Sequence, residues 1–154
     1  MKLRIALIGY GYWGPNLARN FVLNSKFELV AIVDQDESRR EIASSLNNVD
    51  TFASYEDLKK DLDLDLVVIC TRPTSHLNLV KHFIQNGTNI LVTKPCGISA
   101  AEASAMSSLA DEYGVKVFCD FTYHFSPLIN FLRTNLIAKE IIGEMREYAS
   151  YRTS

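Results

Sequence analysis

The chain has 154 residues, which is the size of one domain and enough to bury a hydrophobic core. Hydrophobic residues make up 47% of it and the formal net charge is −2, so it lacks the basic excess that nucleic acid binding requires. No apolar run reaches the roughly 18 residues of a membrane span, and Leu3–Ile8 ends in glycines where a signal peptide would need a cleavage site; we therefore predict a compact cytoplasmic protein without membrane partners.

The first predicted strand, Leu3–Ile8, is followed at once by the sequence GYGYWG over residues 9–14 and then by a helix with Pro15 in its first turn. In a strand, turn and helix of this kind, Gly9 allows the tight turn, Gly11 lets a diphosphate approach the backbone, and Gly14 lets the helix pack on the strand. The unpaired N–H groups at the helix start, including those of Tyr12 and Trp13, would face that diphosphate.

A second predicted strand, Leu29–Val33, ends at Asp34, which is twenty residues after Gly14. An acidic side chain at this place accepts hydrogen bonds from the ribose hydroxyls of an adenosine. The four features together (strand, glycine turn, helix and acidic residue) predict a dinucleotide site. The alternative interpretation is an ordinary strand, turn and helix without a ligand.

Asp34 also predicts which nicotinamide cofactor is used. A carboxylate about 4 Å from a 2′-phosphate is repelled by roughly 4 kcal/mol per unit charge at an effective dielectric near 20, so NAD is expected in preference to NADP. Arg39 and Arg40 on the next helix could offset part of this repulsion. They could instead lie on a solvated face and pair with Asp36 and Glu37.

Strands and helices alternate along the rest of the chain, with turn or cap residues at each junction. Capping boxes at Ser38 with Glu41, and at Ser99 with Glu102, predict two helix starts. The uniformly apolar Leu66–Cys70 indicates a parallel strand at the centre of the sheet, covered on both faces. The other predicted elements are strands at Thr51–Ala53, Asn89–Val92 and Val115–Cys119, and helices from Ser54, from Ser75 to Asn86, and from Ser126 with Pro127.

This alternation predicts an α/β fold, a doubly wound parallel sheet of the Rossmann type with strand order 3-2-1-4-5-6. We assign residues 1–124 to the dinucleotide-binding domain and residues 125–154 to a connecting helix and strand. Glu144–Arg152 alternates as a strand with one apolar face and no partner, which we interpret as the start of a missing second α+β domain. We expect this strand to be either disordered or paired with that of a neighbouring copy, because an exposed edge recruits another strand, and we therefore expect a homo-oligomer.

The three cysteines, Cys70, Cys96 and Cys119, are odd in number and form no C-x-x-C pair. Neither a disulfide framework nor a zinc finger is indicated, and reduced thiols are expected. Each cysteine falls at or just after a predicted strand end, and His76 and His124 lie nearby in sequence. A metal site is therefore an alternative, although we assign no metal ligand.

With these segments placed, the chain resembles the cofactor half of the glucose-fructose oxidoreductase and inositol dehydrogenase family, called Gfo/Idh/MocA. Four motifs carry the resemblance: the glycine turn, Thr71–His76 after the fourth strand, Thr93–Pro95 after the fifth, and Ile142–Glu144 before the last. The sequences over 11–16 and 19–21 are most similar to members that oxidise nucleotide-linked amino sugars at C3.

The resemblance implies a dehydrogenase that moves a hydride between NAD and a sugar or nucleotide-sugar hydroxyl. It implies that the loop with Thr71, Pro73 and His76 borders the nicotinamide and its ribose, and that Lys94 lies beside the nicotinamide and the reacting carbinol. An ammonium there can donate to the hydroxyl oxygen as its proton leaves, so Lys94 is the one catalytic residue assigned. Without the resemblance, Lys94 would be a loop cation and His76 a residue with a local hydrogen bond.

The sequence also departs from the family pattern. Thr93 stands where a glutamate is common, Arg72 where a proline is frequent, and Tyr123–Pro127 where an aromatic and asparagine pattern is usual. The catalytic histidine and adjacent aspartate of the family belong to a second domain beyond this sequence, so no catalytic base is named and the chain alone is expected to be inactive. The alternative hypothesis is a free-standing NAD-binding or sensing module without catalysis.

Overall fold

The computed structural model describes residues 1–58 and 62–137. The strands among them are β1 Leu3–Ile8, β2 Phe27–Val33, β3 Asp50–Phe52, β4 Leu66–Ile69, β5 Asn89–Thr93 and β6 Val117–Asp120. They form one parallel sheet in the order β3-β2-β1-β4-β5-β6, which confirms the predicted doubly wound fold. The α-helices are α1 Gly14–Leu23, α2 Glu37–Ala43, α3 Pro73–Ile84, α4 Ala100–Tyr113 and α5 Pro127–Phe131.

The chain divides into two compact units, Met1–Asp120 and a unit that begins at Phe121. The first contains the whole sheet. In the second, a 3-10 helix at Thr122–Phe125 precedes α5, which continues as a π-helix over Leu132–Ile137. The strand predicted at Glu144–Arg152 and the motif at 142–144 lie outside the described residues, so the incomplete second domain stays a prediction.

The core of the first unit lies on both faces of the sheet because the crossover helices cover both. Successive residues of β4 point in opposite directions: Val67 joins the cluster under α3 and α4, whereas Val68 joins the cluster under α1 and α2. Phe83 of α3 anchors the first cluster and Phe21 of α1 the second. The uniformly apolar β4 is therefore buried at the sheet centre, as the sequence predicted.

One predicted helix start is wrong. The side chain of Asp36 accepts the Ser38 N–H at 3.0 Å, so α2 begins at Glu37 and Ser38 lies inside it. An aspartate in extended conformation two residues earlier already supplies the cap that we had assigned to Ser38 with Glu41.

The capping box predicted for α4 is half formed. Ser99 accepts the Glu102 N–H at 3.2 Å, as predicted, but the Glu102 carboxylate accepts from Ile98 N–H at 3.0 Å and not from Ser99. The short helix predicted from Ser54 is a 3-10 helix over Tyr55–Asp57 with a complete capping box. Helix α3 starts at Pro73, two residues before the predicted position, because proline suits the first helical turn.

The predicted site residues of the first unit lie at one edge of the sheet. The chain leaves β1 towards β2 and leaves β4 towards β5, so the loops after these two central strands diverge and open a crevice at the carboxyl ends of the strands. Every loop that carries one of these residues begins at the carboxyl end of a strand and therefore lies at this edge.

Candidate functional site

The glycine turn after β1 depends on two residues that tolerate no side chain. Gly9 has a φ of +97°, and a Cβ there would overlap the Cys70 carbonyl. A Cβ on Gly14 would lie 2.8 Å from the Gly9 carbonyl oxygen. The Gly9 N–H donates to Val33 O at 2.7 Å, which ties the turn to β2. Both glycines are therefore required for α1 to start this close to the end of β1.

Gly11 lies at the open part of the turn. A Cβ there would meet only Nη1 of Arg39, at 3.6 Å, so the space above the backbone is available to a ligand. The next side chains, Tyr12 and Trp13, are 95% and 47% exposed. No acceptor in residues 1–58 or 62–137 takes their backbone N–H groups, and no side chain caps α1. The turn thus presents free donors at a helix N-terminus, the arrangement that binds phosphate groups.

Asp34 joins the glycine turn to the start of α2. One carboxylate oxygen accepts the Tyr10 N–H at 2.7 Å and the other accepts the Asp36 N–H at 2.9 Å. The residue is only 9% exposed. Each oxygen has a second lone pair, so the carboxylate can hold the two loops and still accept from a ligand.

Two arginines follow Asp34. Arg39 pairs with Asp36 at 3.5 Å, as the solvated alternative expected, but its Nη1 also lies 3.6 Å from the Asp34 carboxylate. Arg40 donates to the backbone carbonyls of Asp34 and Gln35 at 2.8 and 2.9 Å and forms neither of the carboxylate pairs considered for it. The position of Arg39 over the glycine turn was not decided by sequence reasoning, because helical spacing alone does not say which way a first-turn side chain leans.

A cleft of about 520 Å³ opens at this edge of the sheet. Its walls include Gly9, Asp34 and Arg39, together with residues of the loops after β3 and β4. The volume falls within the usual range for a small-molecule site. The loop after β3 contributes Ala53, Ser54 and Tyr55 and was not predicted from the sequence. It could have been, because in a parallel sheet the loop that follows each strand lies at the same edge.

The loop after β4 supplies Thr71, Arg72, Thr74 and Ser75 to the same cleft. The hydroxyls of Thr71 and Ser75 lie 2.7 Å apart and Ser75 also donates to the Arg72 carbonyl at 2.8 Å, so the loop closes tightly on the first turn of α3. Pro73 is the first residue of that helix. Arg72, the departure noted above, is exposed and faces this cleft.

His76 lies beneath the loops with none of its surface exposed. Its Nε2 is 3.1 Å from Thr71 O, and its Nδ1 is 3.1 Å from Pro95 O and 3.2 Å from Cys96 O. The ring therefore connects the loop after β4 to the turn after β5. In this conformation it offers no atom to a ligand, and a role in cofactor binding would be exerted through the two loops.

Lys94 directly follows β5 and is exposed. Its ammonium makes no hydrogen bond or ion pair with any residue of the described ranges, and it does not line the cleft of about 520 Å³. Thr93, which stands where a glutamate is common, is buried and donates its hydroxyl to Ile69 O at 3.1 Å. The threonine thus binds β5 to β4, and the lysine is free to turn towards a ligand.

Two thiols at this edge, Cys70 and Cys119, have pKa values above the usual range of a thiol. Burial raises the pKa of Cys70 to about 11, assisted by the nearby Asp120 carboxylate and opposed by a hydrogen bond with Thr93. Burial also raises the pKa of Cys119 to about 11. In the part of the chain that the structure describes, no group of three or more histidine, cysteine, aspartate or glutamate side chains is arranged to hold a metal ion. No helix of that part is long and apolar enough to cross a membrane.

Comparison with known proteins agrees with this geometry. The GFO_IDH_MocA family model, described as "Oxidoreductase family, NAD-binding Rossmann fold", matches residues 3–121. The trans-1,2-dihydrobenzene-1,2-diol dehydrogenase of Xenopus tropicalis is 30% identical over 120 residues, 77% of this chain and 36% of that protein. The rhizopine catabolism protein MocA of Rhizobium meliloti is 29% identical over 138 residues, 89% of this chain and 43% of that protein. The chain thus spans less than half the length of these relatives.

Solved structures show the same fold. The scyllo-inositol dehydrogenase from Lactobacillus casei, with bound NAD(H) and scyllo-inositol, gives a TM-score of 0.85 at 19% identity over 94% of this chain and 43% of that one. GenD2 from gentamicin A biosynthesis, in complex with NAD, gives a TM-score of 0.79 at 24% identity over 89% of this chain and 39% of that one.

Proposed function

The chain belongs to the Gfo/Idh/MocA oxidoreductase family and carries its NAD-binding Rossmann domain, and from that membership we propose that it is the cofactor-binding half of a dehydrogenase acting on a ring-borne secondary alcohol. The observation that carries the proposal is the glycine turn with Asp34 at its side. Gly9 and Gly14 leave no room for a side chain, whereas Gly11 faces open space next to free N–H donors.

The cleft and the glycine turn beside it fit NAD. The diphosphate would lie over Gly11, against the free N–H groups of Tyr12 and Trp13 and the positive end of α1. Asp34, on the β2 side of the glycine turn, would accept from the adenosine ribose hydroxyls. A dinucleotide that crosses the switch point then has its nicotinamide over the ends of β4 and β5.

The nicotinamide, when bound, supplies the carbon that accepts the hydride. Lys94 would act on the other half of the reaction: its ammonium would donate to the carbinol oxygen and stabilise negative charge there as the hydroxyl proton passes to a base of the second domain. This role requires no rearrangement of protein contacts, since Lys94 has no partner within the described residues. Thr71 and Pro73 hold the loop that borders the nicotinamide in this proposal.

The substrate class is a sugar or nucleotide-sugar hydroxyl. The names of similar proteins refer to ring-borne diols and polyols, trans-1,2-dihydrobenzene-1,2-diol and scyllo-inositol, which share with sugars a secondary alcohol next to another hydroxyl. A second domain would complete the substrate side of the cleft.

Calorimetric titration with NADH tests the cofactor assignment, and Gly11→Ala provides the matched variant. Because a Cβ at Gly11 meets only one flexible side chain, the variant should fold normally while its methyl group blocks the approach of the diphosphate. We expect heat of binding for the wild type and a loss of at least about tenfold in affinity for Gly11→Ala. No heat and no thermal shift with millimolar NADH would contradict the proposal.

One observation favours a second candidate, an NAD-binding or sensing module without catalysis. Thr93 is tied to Ile69, so no charged neighbour on β5 holds Lys94 in place. The two candidates differ in turnover: a dehydrogenase that contains this domain reduces NAD in the presence of inositols or nucleotide sugars, whereas a sensing module binds NAD and leaves these alcohols unchanged.

A further inference from the structure

His76 connects two loops that no other hydrogen bond in the described ranges connects. Its partners are three carbonyl oxygens, Thr71 O on one loop and Pro95 O and Cys96 O on the other. Among the residues that the structure describes, no further hydrogen bond joins 71–76 to 94–97. The ring is fully buried.

The chemistry of the three contacts makes them dependent on ring N–H groups. Carbonyl oxygens only accept, so each contact is a hydrogen bond only where the facing ring nitrogen carries a hydrogen, and both loops are bonded at once only when both nitrogens carry one. A buried carbonyl deprived of its donor costs about 1–3 kcal/mol. A phenylalanine ring would fill the same space without any donor. A glutamine would restore an N–H donor without the ring.

The two connected loops are those at the nicotinamide end of the cleft in the proposed function. Asp34, on the β2 side of the glycine turn, marks the adenosine end, and a dinucleotide that crosses the switch point continues over the ends of β4 and β5. Thr71 follows β4, and Pro95 and Cys96 directly follow Lys94 at the end of β5. His76 is thus placed beneath the reacting end of the site and away from Asp34.

We propose that His76 is a positioning residue that sets the spacing between the loop after β4 and the Lys94–Pro95 turn, and thereby holds the nicotinamide end of the cleft in its binding geometry. This inference rests on the proposed function. It assigns to His76 an indirect role, because no atom of the ring is exposed to a ligand.

The test compares NADH with ADP-ribose, which has the adenosine and diphosphate but no nicotinamide. For His76→Phe we expect NADH affinity to fall about tenfold and ADP-ribose affinity to change less than about twofold, with partial recovery of NADH affinity in His76→Gln. A merely structural role would lower both affinities together. The matched control is Lys81→Ala on the same helix, an exposed residue that does not line the cleft.

Equal losses for the two ligands, or no loss for NADH, would overturn the inference about His76. Neither result would contradict the proposed function, because the wild-type chain would still bind NADH. Wild-type chain that binds neither ligand would contradict the proposed function, and the inference falls with it. If both variants fail to fold, nitrogen-15 spectra of the three wild-type histidines test the contact itself: a ring N–H of His76 that is protected from exchange supports the connection on which the inference rests. Exchange as fast as that of His82 and His124 would show that the connection is not formed.

Discussion

The Arg39 guanidinium lies 3.6 Å from the carboxylate of Asp34, beside the place where an adenosine ribose would bind. The arginine side chain is 48% exposed and the aspartate side chain only 8%, so the cation can move towards a ligand while the carboxylate stays fixed by two backbone N–H groups. Because the arginine is half exposed and the separation is long, we expect the pair to contribute about 1 kcal/mol or less to folding and to act mainly on ligand choice.

Arg39→Ala should therefore separate the two nicotinamide cofactors. Loss of the cation leaves the Asp34 charge uncompensated, so NADPH affinity should fall about tenfold more than NADH affinity at low salt. Calorimetry with both cofactors measures this. Arg19→Ala is the matched control, because Arg19 contacts Asn16 and does not line the cleft. Equal losses of affinity for the two cofactors would show that Arg39 does not affect the preference between NADH and NADPH.

Asp34→Ala should weaken NADH more than NADPH, because it removes both the ribose acceptor and the repulsion of a 2′-phosphate. It should also lower the free energy of unfolding by about 1–3 kcal/mol, since the Tyr10 and Asp36 N–H groups lose a charged acceptor. Chemical denaturation measures the second effect. The free energy of unfolding of Asp34→Asn, which keeps one acceptor oxygen, should lie between those of the wild type and Asp34→Ala. Identical losses for NADH and NADPH would sink the ribose assignment.

Lys94→Ala should leave both stability and NADH affinity nearly unchanged, because the ammonium has no partner within the described residues. In a protein that carries this domain with its substrate domain, turnover should fall roughly 10² to 10⁴-fold, the usual contribution of a positioned proton donor. Steady-state kinetics with Lys81→Ala, an exposed lysine of α3, as control tests this. Wild-type turnover in Lys94→Ala would favour the sensing module.

Cys70 and Cys119 should alkylate slowly. Burial disfavours the charged thiolate and raises both pKa values to about 11, so at pH 8 about one thiol in 10³ is ionised, compared with about one in ten at a pKa of 9. Labelling with iodoacetamide, followed by mass spectrometry, should be about 100-fold slower in the folded chain than in urea. The folded rate should rise about tenfold per pH unit until the pH approaches 11. Equal folded and unfolded rates at pH 8 would show that these thiols are not buried.

Much of the fold follows from local sequence properties. The uniformly apolar β4, the glycine turn and the Ser99 cap of α4 each depend on residues within a few positions of one another, and hydrophobic period, missing side chains and capping chemistry act over that range. The wrong start predicted for α2 is also a local error. Asp36 and Ser38 are both acceptable caps two residues apart, and the extended conformation of Asp36 makes it the cap.

The sequence by itself determined the strand order, the positions that admit no side chain, and the acidic residue at the end of β2. Only the tertiary structure decided which distant atoms meet: Arg39 with Asp34 over the glycine turn, Thr93 with Ile69, and His76 with carbonyl groups 5, 19 and 20 residues away. Periodicity states which face of an element is apolar, but the direction of one polar side chain depends on packing between elements far apart in the chain. The loops of a parallel sheet are brought together by its crossovers, and no local pattern records which of their atoms come within hydrogen-bonding distance.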